Sequence, residues 1–453
     1  MSLFSKFVTA GAFISFETGC NSIFTILTAA LTFRIVTVEE FGVIALVQSS
    51  AGVIGLIVGA LSCATFFGVE IPKKIGEKDD EKVKFLLYTS FFLTLILTEL
   101  MLGIVFFVND VFLKYPQISF YYLFLLLSLN TSLFQGHIEL LFGSYLLFGK
   151  RALFRIVITL ARFFIIAGLY FFPNFTATPH LWVLYSYPLS ICIALIFIFP
   201  FVIKLIYQLK DIPLVAREKF VFIKDSIKHI KYIILISITK KIQDDAPIWL
   251  LQFFLGTVSV GLYSAAQKVV NIVFTGLRLI ETLIVPFLSQ ISYDTSKRNR
   301  VSNVIAKYMF WLSVFFSIGL IICMDPIVNL ILTNQFENVT LISQIFTLIL
   351  VAYSLTSVQR PLLYTLNLYK QMNLILMIST IFILLAGSLS IQYWGVLGMV
   401  TALVVQRYLE AVLSYICITK VSPSDNINIS TFFKITSDDK KVMGYLKSSL
   451  GRV

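Results

Sequence analysis

The stretch "YIILISITKKIQDDAPIWLLQFFLG" (residues 232–256) carries the feature on which the fold and function of this chain depend. Both of its ends are aliphatic and aromatic, and its length suits a membrane-spanning helix, which needs about 20 mostly apolar residues. Its centre nevertheless holds four charged residues, Lys240, Lys241, Asp244 and Asp245. The sequence therefore places charges inside a segment that otherwise belongs in a lipid bilayer.

The rest of the 453-residue chain has the same character, with 58% hydrophobic and 13% charged residues and a mean hydropathy of +0.89. Soluble domains carry about 25% charged residues. We therefore predict an all-α polytopic membrane protein. The cysteines form no CxxC pair and the three histidines are scattered, so we predict neither a metal site nor a cofactor.

Twelve segments are long and apolar enough to span a bilayer. The first continues past residue 30 and includes Glu17, so we interpret it as a span and not as a cleavable signal. The predicted spans are 8–36, 41–69, 85–108, 118–148, 152–172, 181–202, 231–255, 259–288, 306–324, 340–363, 371–393 and 395–419.

Twenty-seven lysines and arginines lie in the connections or near span ends on one side of the predicted membrane, and only Lys114 lies on the other side. This bias marks the cytoplasmic side, so we predict that both termini are cytoplasmic. It also accounts for the net charge of +12, together with attraction to anionic lipid headgroups. No nucleic-acid partner is needed to explain it.

The basic segment 203–230 divides the chain into two halves. We predict an N-terminal six-helix lobe at 1–202, a cytoplasmic linker at 203–230, a C-terminal six-helix lobe at 231–420 and a cytoplasmic tail at 421–453.

The halves share a faint repeat. In "VTVEEFGVIALVQS" (36–49) and "LGTVSVGLYSAAQK" (255–268), two glycines and two glutamines align: Gly42 with Gly261, and Gln48 with Gln267. Both stretches follow the first helix of their half. This placement favours parallel repeats about an axis along the membrane normal.

Arg155, Lys231 and Lys307 lie near span ends and are counted with the charges of the cytoplasmic side. Eight further cationic residues fall within the predicted spans: Arg34, Arg162, Lys240, Lys241, Lys268, Arg278, Arg360 and Arg407. A charge at the bilayer centre costs at least about 2.5–3.5 kcal/mol. A water-filled cavity that receives an anionic substrate would explain them together. Span 8 supports a cavity best, because one helical face carries Ser264, Lys268, Asn271, Thr275, Arg278 and Thr282. That stripe lines a cavity or forms hydrogen bonds between helices.

Local alternatives exist for several of these charges. Lys240 and Asp244, like Lys241 and Asp245, are four residues apart, so each pair either neutralises itself or faces the cavity. Arg162 is either a packed structural charge or a cavity residue.

For the remaining in-span charges, the sequence favours simpler roles. Arg407 is three residues from Glu410, which favours local pairing, whereas Arg360 and Arg34 lie near span ends and favour snorkelling. Glu99 and Glu139 are either proton sites or buried hydrogen-bonding groups.

Three stretches resemble the Wzx-type O-antigen flippases of the multidrug/oligosaccharidyl-lipid/polysaccharide (MOP) exporters: "EEFGVIALVQSSAG" (39–52), "IPKKIGEKDDEKVK" (71–84) and "DDAPIWLLQFFLGTVSVGLYSAAQKV" (244–269). The resemblance implies two six-helix lobes in a V. It also implies alternating-access transport of an undecaprenyl-pyrophosphate-linked repeat unit across the bacterial inner membrane.

The resemblance further implies a cationic central cavity, for which the candidates are Lys240, Lys241, Lys268, Asn271, Arg278 and Arg162. Coupling to H⁺ or Na⁺ would use Glu17, Asp244 or Asp245. The expected partners are the lipid-linked oligosaccharide, membrane lipids, a polysaccharide polymerase and a chain-length regulator.

Two other functions compete with a flippase. A drug/cation antiporter of the same superfamily would need acidic residues in the cavity, whereas the span 8 stripe is basic. A membrane glycosyltransferase or polymerase could use Glu39 and Glu40 as an acidic metal site. Such enzymes usually need a sizeable outer loop, and the predicted outer connections are short. We therefore expect a transporter and not an enzyme.

Overall fold

The computed structural model describes most of the chain. The described residues are 3–61, 67, 71, 75, 79–108, 118–145, 147–173, 176, 178–208, 219–271, 274, 295–332, 336, 339–366, 368–423 and 427–434.

The described residues are helical almost throughout and contain no β-strand. The helices are α1 (Leu3–Ile35), α2 (Val38–Leu61), α3 (Asp80–Val108), α4 (Ile118–Ser144), α5 (Phe148–Phe171), α6 (Pro179–Gln208), α7 (Lys219–Leu255), α8 (257–271), α9 (Thr295–Ile331), α10 (Val339–Thr347), α11 (Ile349–Thr365) and α12 (Tyr369–Val421).

Wherever a predicted span falls on described residues, those residues are almost entirely helical, and span 259–288 is described at 259–271 and 274. Within the described part of the chain, seven helical stretches are long and apolar enough to cross a membrane. The prediction of an all-α polytopic membrane fold is confirmed. The last two predicted spans both lie in α12, where Gly395 alone has non-helical backbone angles.

The chain forms two compact units. The first comprises Met1–Ser264 and Leu330–Phe336, and the second comprises Ala265–Asn329 and Glu337–Val453. The first unit includes α7, which the sequence analysis assigned to the C-terminal lobe. The division into lobes at 203–230 stays a prediction.

The turn from α1 to α2 is fixed by reciprocal hydrogen bonds. The amide and hydroxyl of Thr37 donate to Glu40 Oε2 at 2.8 and 3.1 Å. The Glu40 amide donates back to the Thr37 hydroxyl at 3.3 Å. This is a capping box, which satisfies amides that the first turn of a helix leaves free. Buried Phe33, Phe41 and Phe336 pack edge to face around this turn.

α7 ends at Leu255 and is followed by Gly256, whose φ of +83° suits glycine. Its amide donates to the Leu251 carbonyl at 3.1 Å, so α8 can begin at once. α8 then crosses α2 at two glycines. A Cβ atom on Gly42 would overlap the carbonyl oxygen of Thr257, and one on Gly261 would overlap the carbonyl oxygen of Val38.

This crossing is reciprocal: Gly42 of α2 meets Thr257 of α8, and Gly261 of α8 meets Val38 of α2. Both glycines lie four residues after the carbonyl that the other helix contacts. A two-fold relation between the helices produces such a contact. The alignment of Gly42 with Gly261 therefore corresponds to a direct backbone contact, which only glycine allows.

In the second unit, the predicted span 340–363 is interrupted. α10 ends at Thr347 and α11 begins at Ile349. Carbonyls freed by such a break need partners inside a membrane. The Ser317 hydroxyl donates to the Thr347 carbonyl at 3.0 Å, and the Tyr408 hydroxyl donates to the Leu348 carbonyl at 3.2 Å. Side chains of α9 and α12 therefore stabilise the interruption.

We expect Gly42→Ala or Gly261→Ala to lower the free energy of unfolding by about 1–3 kcal/mol or more, because the methyl group has no room. Thermal unfolding of the detergent-solubilised protein measures this. Gly59→Ala in α2 is the control, since its methyl group meets nothing within 4 Å and alanine favours a helix. Equal stability of the Gly42 and Gly59 variants would contradict the close crossing.

Candidate functional site

A polar stripe runs along α5 in the first unit. Arg151, Arg155, Thr159 and Arg162 are spaced four, four and three residues apart. This spacing places them on one face of the helix. The other faces of α5 are largely aliphatic and aromatic, so the stripe is the polar side of an apolar span.

Arg155 connects three helices. Its Nη1 lies 3.1 Å from Glu17 Oε1 on α1, and its Nη2 lies 2.5 Å from Glu139 Oε2 on α4. Gln135 also donates to Glu139 at 3.0 Å. Arg151 is more distant, with its Nη2 at 3.9 Å from Glu139 Oε2. One guanidinium therefore binds two carboxylates from different helices.

This network balances two carboxylates against two guanidinium groups. The side chains of Glu17 and Glu139 are only 6% and 16% exposed. Removing one partner of a buried pair is strongly destabilising, because the other charge stays desolvated. Glu17, a predicted ion-coupling residue, is thus engaged by Arg155. Glu139 is an ion-pair partner, which neither alternative from the sequence described.

Arg162 differs from Arg155. Its guanidinium lies over the ring of Tyr187 on α6, 3.3 Å from the centroid. Its buried Nε has no hydrogen-bond partner, and no described carboxylate forms an ion pair with it. It lies 14 residues into α5, about 21 Å along the helix axis at 1.5 Å per residue. A cation–π contact offsets only part of the desolvation of such a charge.

The opening stretch lies within α7. Lys241 Nζ is 2.8 Å from Asp245 Oδ2, and Asp245 is 10% exposed. The lysine also lies against α2, because a Cβ on Gly52 would come within 2.7 Å of its Nζ. Lys241 and Asp245 therefore neutralise each other within α7, which is the first of the two alternatives predicted for this pair. Lys240 is exposed and Asp244 is half-buried.

The predicted stripe of span 8 is only partly described. Ser264 is buried, and its hydroxyl has no hydrogen-bond partner. Lys268 and Asn271 lie on α8 and are half-buried. Thr275, Arg278 and Thr282 lie outside the described residues.

Glu410 in the second unit binds two arginines. Arg360 Nη2 lies 2.5 Å from Glu410 Oε1, and Arg407 Nη1 lies 3.4 Å from Glu410 Oε2. The expected pairing of Arg407 is therefore correct. The expected snorkelling of Arg360 is wrong, because its side chain is 9% exposed. An acidic partner 50 residues away holds it inside. Arg34 is exposed.

The first unit contains a cavity of about 570 Å³. Residues of α2, α3 and α4, with the start of α5, line it: among them Gly55, Ser90, Thr94, Thr98, Ser132, Gly136, His137, Glu139, Ser144 and Arg151. The cavity therefore ends at the charged network. Glu99 does not line it: Glu99 is exposed and accepts a hydrogen bond from Asn130 at 3.0 Å.

Both ring nitrogens of His137, in the cavity wall, form hydrogen bonds. Its Nδ1 lies 2.9 Å from the Leu133 carbonyl oxygen, and its Nε2 lies 3.2 Å from the Ser90 hydroxyl. Because a carbonyl only accepts, Nδ1 carries a proton and Nε2 can accept from Ser90. The described residues include no group of three or more histidine, cysteine, aspartate or glutamate side chains that could hold a metal ion.

The α5 stripe was not predicted from the sequence, because Arg151 and Arg155 were assigned to the cytoplasmic charges and Arg162 was considered alone. The spacing of four, four and three was visible in the sequence and indicates a shared face. The partners Glu17 and Glu139 could not be assigned, because only the packing of α1 and α4 against α5 brings them to Arg155.

No protein-family model matches the chain, and no curated protein matches its sequence. Solved structures match its fold. Lipid II flippase MurJ, in an inward closed conformation, is 14% identical with a TM-score of 0.68, over 98% of this chain and 93% of that one. An inward-facing multidrug resistance MATE family transporter of the MOP superfamily is 12% identical with a TM-score of 0.67, over 88% and 96%.

A MATE transporter of Vibrio cholerae is 11% identical with a TM-score of 0.62, over 95% of this chain and 100% of that one. At these identities the likeness shows the fold alone. The chain therefore has the fold of MOP-superfamily transporters. The predicted superfamily fold is supported, and the Wzx-type branch stays a prediction.

We expect Arg155→Gln to lower the free energy of unfolding by about 3 kcal/mol, because it leaves two buried carboxylates without their shared partner. The value is at the low end for such pairs, since Arg155 is 36% exposed. Arg151→Gln is the matched control on the same face and should lower stability by less. Thermal unfolding of the two purified variants compares them; equal losses would contradict the central place of Arg155.

Proposed function

We propose that this chain is a flippase that moves an undecaprenyl-pyrophosphate-linked oligosaccharide across the bacterial inner membrane by alternating access. The observation that carries the proposal is Arg162. This guanidinium lies deep in an apolar span and has no ion pair with a described carboxylate, while Arg155 on the same helix has two.

An unpaired cation inside a membrane favours an anionic ligand. Guanidinium groups suit phosphate, which they can bind through two parallel hydrogen bonds. Stacking on Tyr187 would orient the guanidinium plane for this contact. The fold, which a lipid II flippase also adopts, supports lipid-linked transport as the biological setting.

Other predicted residues extend this hypothesis. Lys268 and Asn271 on α8 and exposed Lys240 on α7 are further candidates for the anionic headgroup; Arg278 remains a candidate from the sequence alone. Glu17, Asp244 and Asp245 remain the coupling candidates, of which Glu17 pairs with Arg155 and Asp245 with Lys241. Cytoplasmic termini and a polymerase with its chain-length regulator as partners belong to the same proposal.

A drug/cation antiporter is the second candidate, and it is favoured by the multidrug transporters among the similar structures. Such a transporter would use carboxylates to hold a cationic substrate. The carboxylates of the first unit that face α5 are instead occupied by Arg155. This arrangement favours the anionic substrate.

We expect Arg162→Gln to reduce outward transfer of the lipid-linked units at least tenfold, because a hydrogen bond to a charged group contributes about 1.5–3 kcal/mol and 1.4 kcal/mol is tenfold. Variants would be expressed in a strain that lacks the gene. A lectin added to intact spheroplasts would report units that face outward, and organic extraction would give the total pool.

The matched control is Arg34→Gln, which removes the same charge from an exposed position at the end of α1 and should export normally. Normal export by a well-inserted Arg162→Gln variant would contradict the proposal. An unchanged lipid pool with altered drug tolerance in the deletion strain would indicate the antiporter. Single unpolymerised units at the surface would indicate a polymerase.

A further inference from the structure

The cavity in the first unit is lined by polar groups that suit the uncharged part of the ligand. We propose that it binds sugar residues of the lipid-linked oligosaccharide, through neutral hydroxyl groups and not through phosphate. This proposal rests on the proposed function and assigns the sugar to a place separate from Arg162. Its volume of about 570 Å³ is within the range of small-molecule sites, about 300–1,000 Å³.

Two buried donors among the residues that line the cavity have no hydrogen-bond partner. They are the Nε of Arg151 and the hydroxyl of Ser144, both of which line the cavity. Buried polar groups are nearly always hydrogen-bonded in folded proteins. A bound group that accepts hydrogen bonds would satisfy both of them.

Thr94 and Thr98 of α3 also line the cavity. Their hydroxyls donate to the carbonyls of Ser90 and Thr94 at 2.7 and 2.8 Å. Their hydrogens are therefore used within α3, and their oxygens retain a lone pair with which they can accept. The cavity lining thus includes both donors and acceptors. A sugar hydroxyl can both accept and donate, so it matches both sets.

The paired charges of the residues at the cavity argue against a charged ligand. Arg155 binds Glu139 at 2.5 Å, and Arg151 lies 3.9 Å from the same carboxylate. A phosphate beside Arg151 would meet the negative charge of Glu139, and a cationic ligand would compete with Arg155. A neutral polar group avoids both conflicts.

An entirely apolar ligand fits no better. It would leave the Arg151 and Ser144 donors desolvated and unpaired, which opposes binding. The apolar part of the wall can pack against a sugar, because a sugar ring has apolar faces. Glycines at 55, 59, 136 and 143 keep this wall clear of side chains. A Cβ at Gly136 would meet nothing within 4 Å, so the space beside it is open.

Filling this space tests the proposal without removing any charge. Gly136→Leu adds a large side chain at a residue of the cavity lining, and Gly136→Ala adds a single methyl group. Gly103→Leu is the matched control, because Gly103 lies on α3 outside the cavity lining and also has nothing within 4 Å of its Cβ position. Thermal unfolding would verify that all three variants are folded.

The purified proteins would be placed in nanodiscs and binding measured with two probes. The first is the lipid-linked oligosaccharide extracted from the deletion strain, and the second is undecaprenyl pyrophosphate without sugar. We expect Gly136→Leu to weaken binding of the first probe at least tenfold and to change binding of the second less than twofold. Gly136→Ala should have an intermediate effect, and Gly103→Leu should bind both as the unaltered protein does.

Equal affinity of the Gly136→Leu and Gly103→Leu variants for the sugar-bearing probe would overturn the sugar site and leave the flippase proposal intact. Equal weakening of both probes by Gly136→Leu would also overturn it, because the cavity would then hold the lipid or its phosphate. Failure of the unaltered protein to bind either probe would overturn the flippase proposal itself.

Discussion

A charge inside a bilayer needs a partner within the protein, and this constraint organises the described part of the chain. Arg155 satisfies it with Glu17 and Glu139, and Glu410 satisfies it for Arg360 and Arg407. Arg155 joins α5 to α1 and α4, and Arg360 joins α11 to α12. The ion pairs therefore act as connections between helices, in a medium where apolar side chains provide little selectivity because lipid tails are equally apolar.

The same constraint separates structural from functional charge. The fold explains a cation that pairs with a carboxylate of the same protein, whereas an unpaired cation suggests that a ligand supplies its partner. α5 presents both kinds on one face: Arg155 is saturated, and Arg162 has an aromatic ring but no described carboxylate. The first half of the helix is thus anchored by ion pairs, and the proposed function assigns Arg162 in its second half to the ligand. Tight anchoring matters for such a site, because binding groups are most effective when they are held in place before the ligand arrives.

The sequence predicted the helices well and the contacts only locally. Length and hydropathy are properties of contiguous residues, so the spans could be located directly. The Lys241–Asp245 pair was also accessible, because one helical turn separates its members. Arg360 shows the limit: its position near a span end favoured the lipid interface, but Glu410, 50 residues later, holds it in the interior.

The break at Leu348 shows the same limit for the backbone. Neither proline nor glycine marks it in the sequence. It is stabilised by hydroxyl groups of Ser317 and Tyr408, on helices that flank it in space. Interactions of this kind depend on tertiary packing, so local sequence patterns do not predict them.

The crossing of α2 and α8 is symmetric, and this symmetry bears on the origin of the chain. Gly42 and Gly261 make the same contact from opposite sides, each against a carbonyl four residues before its counterpart. Two identical polypeptides related by a dyad would form this contact without alteration. The crossing of these two helices therefore has the local geometry of a contact in a symmetric homodimer, which duplication and fusion of a gene would produce.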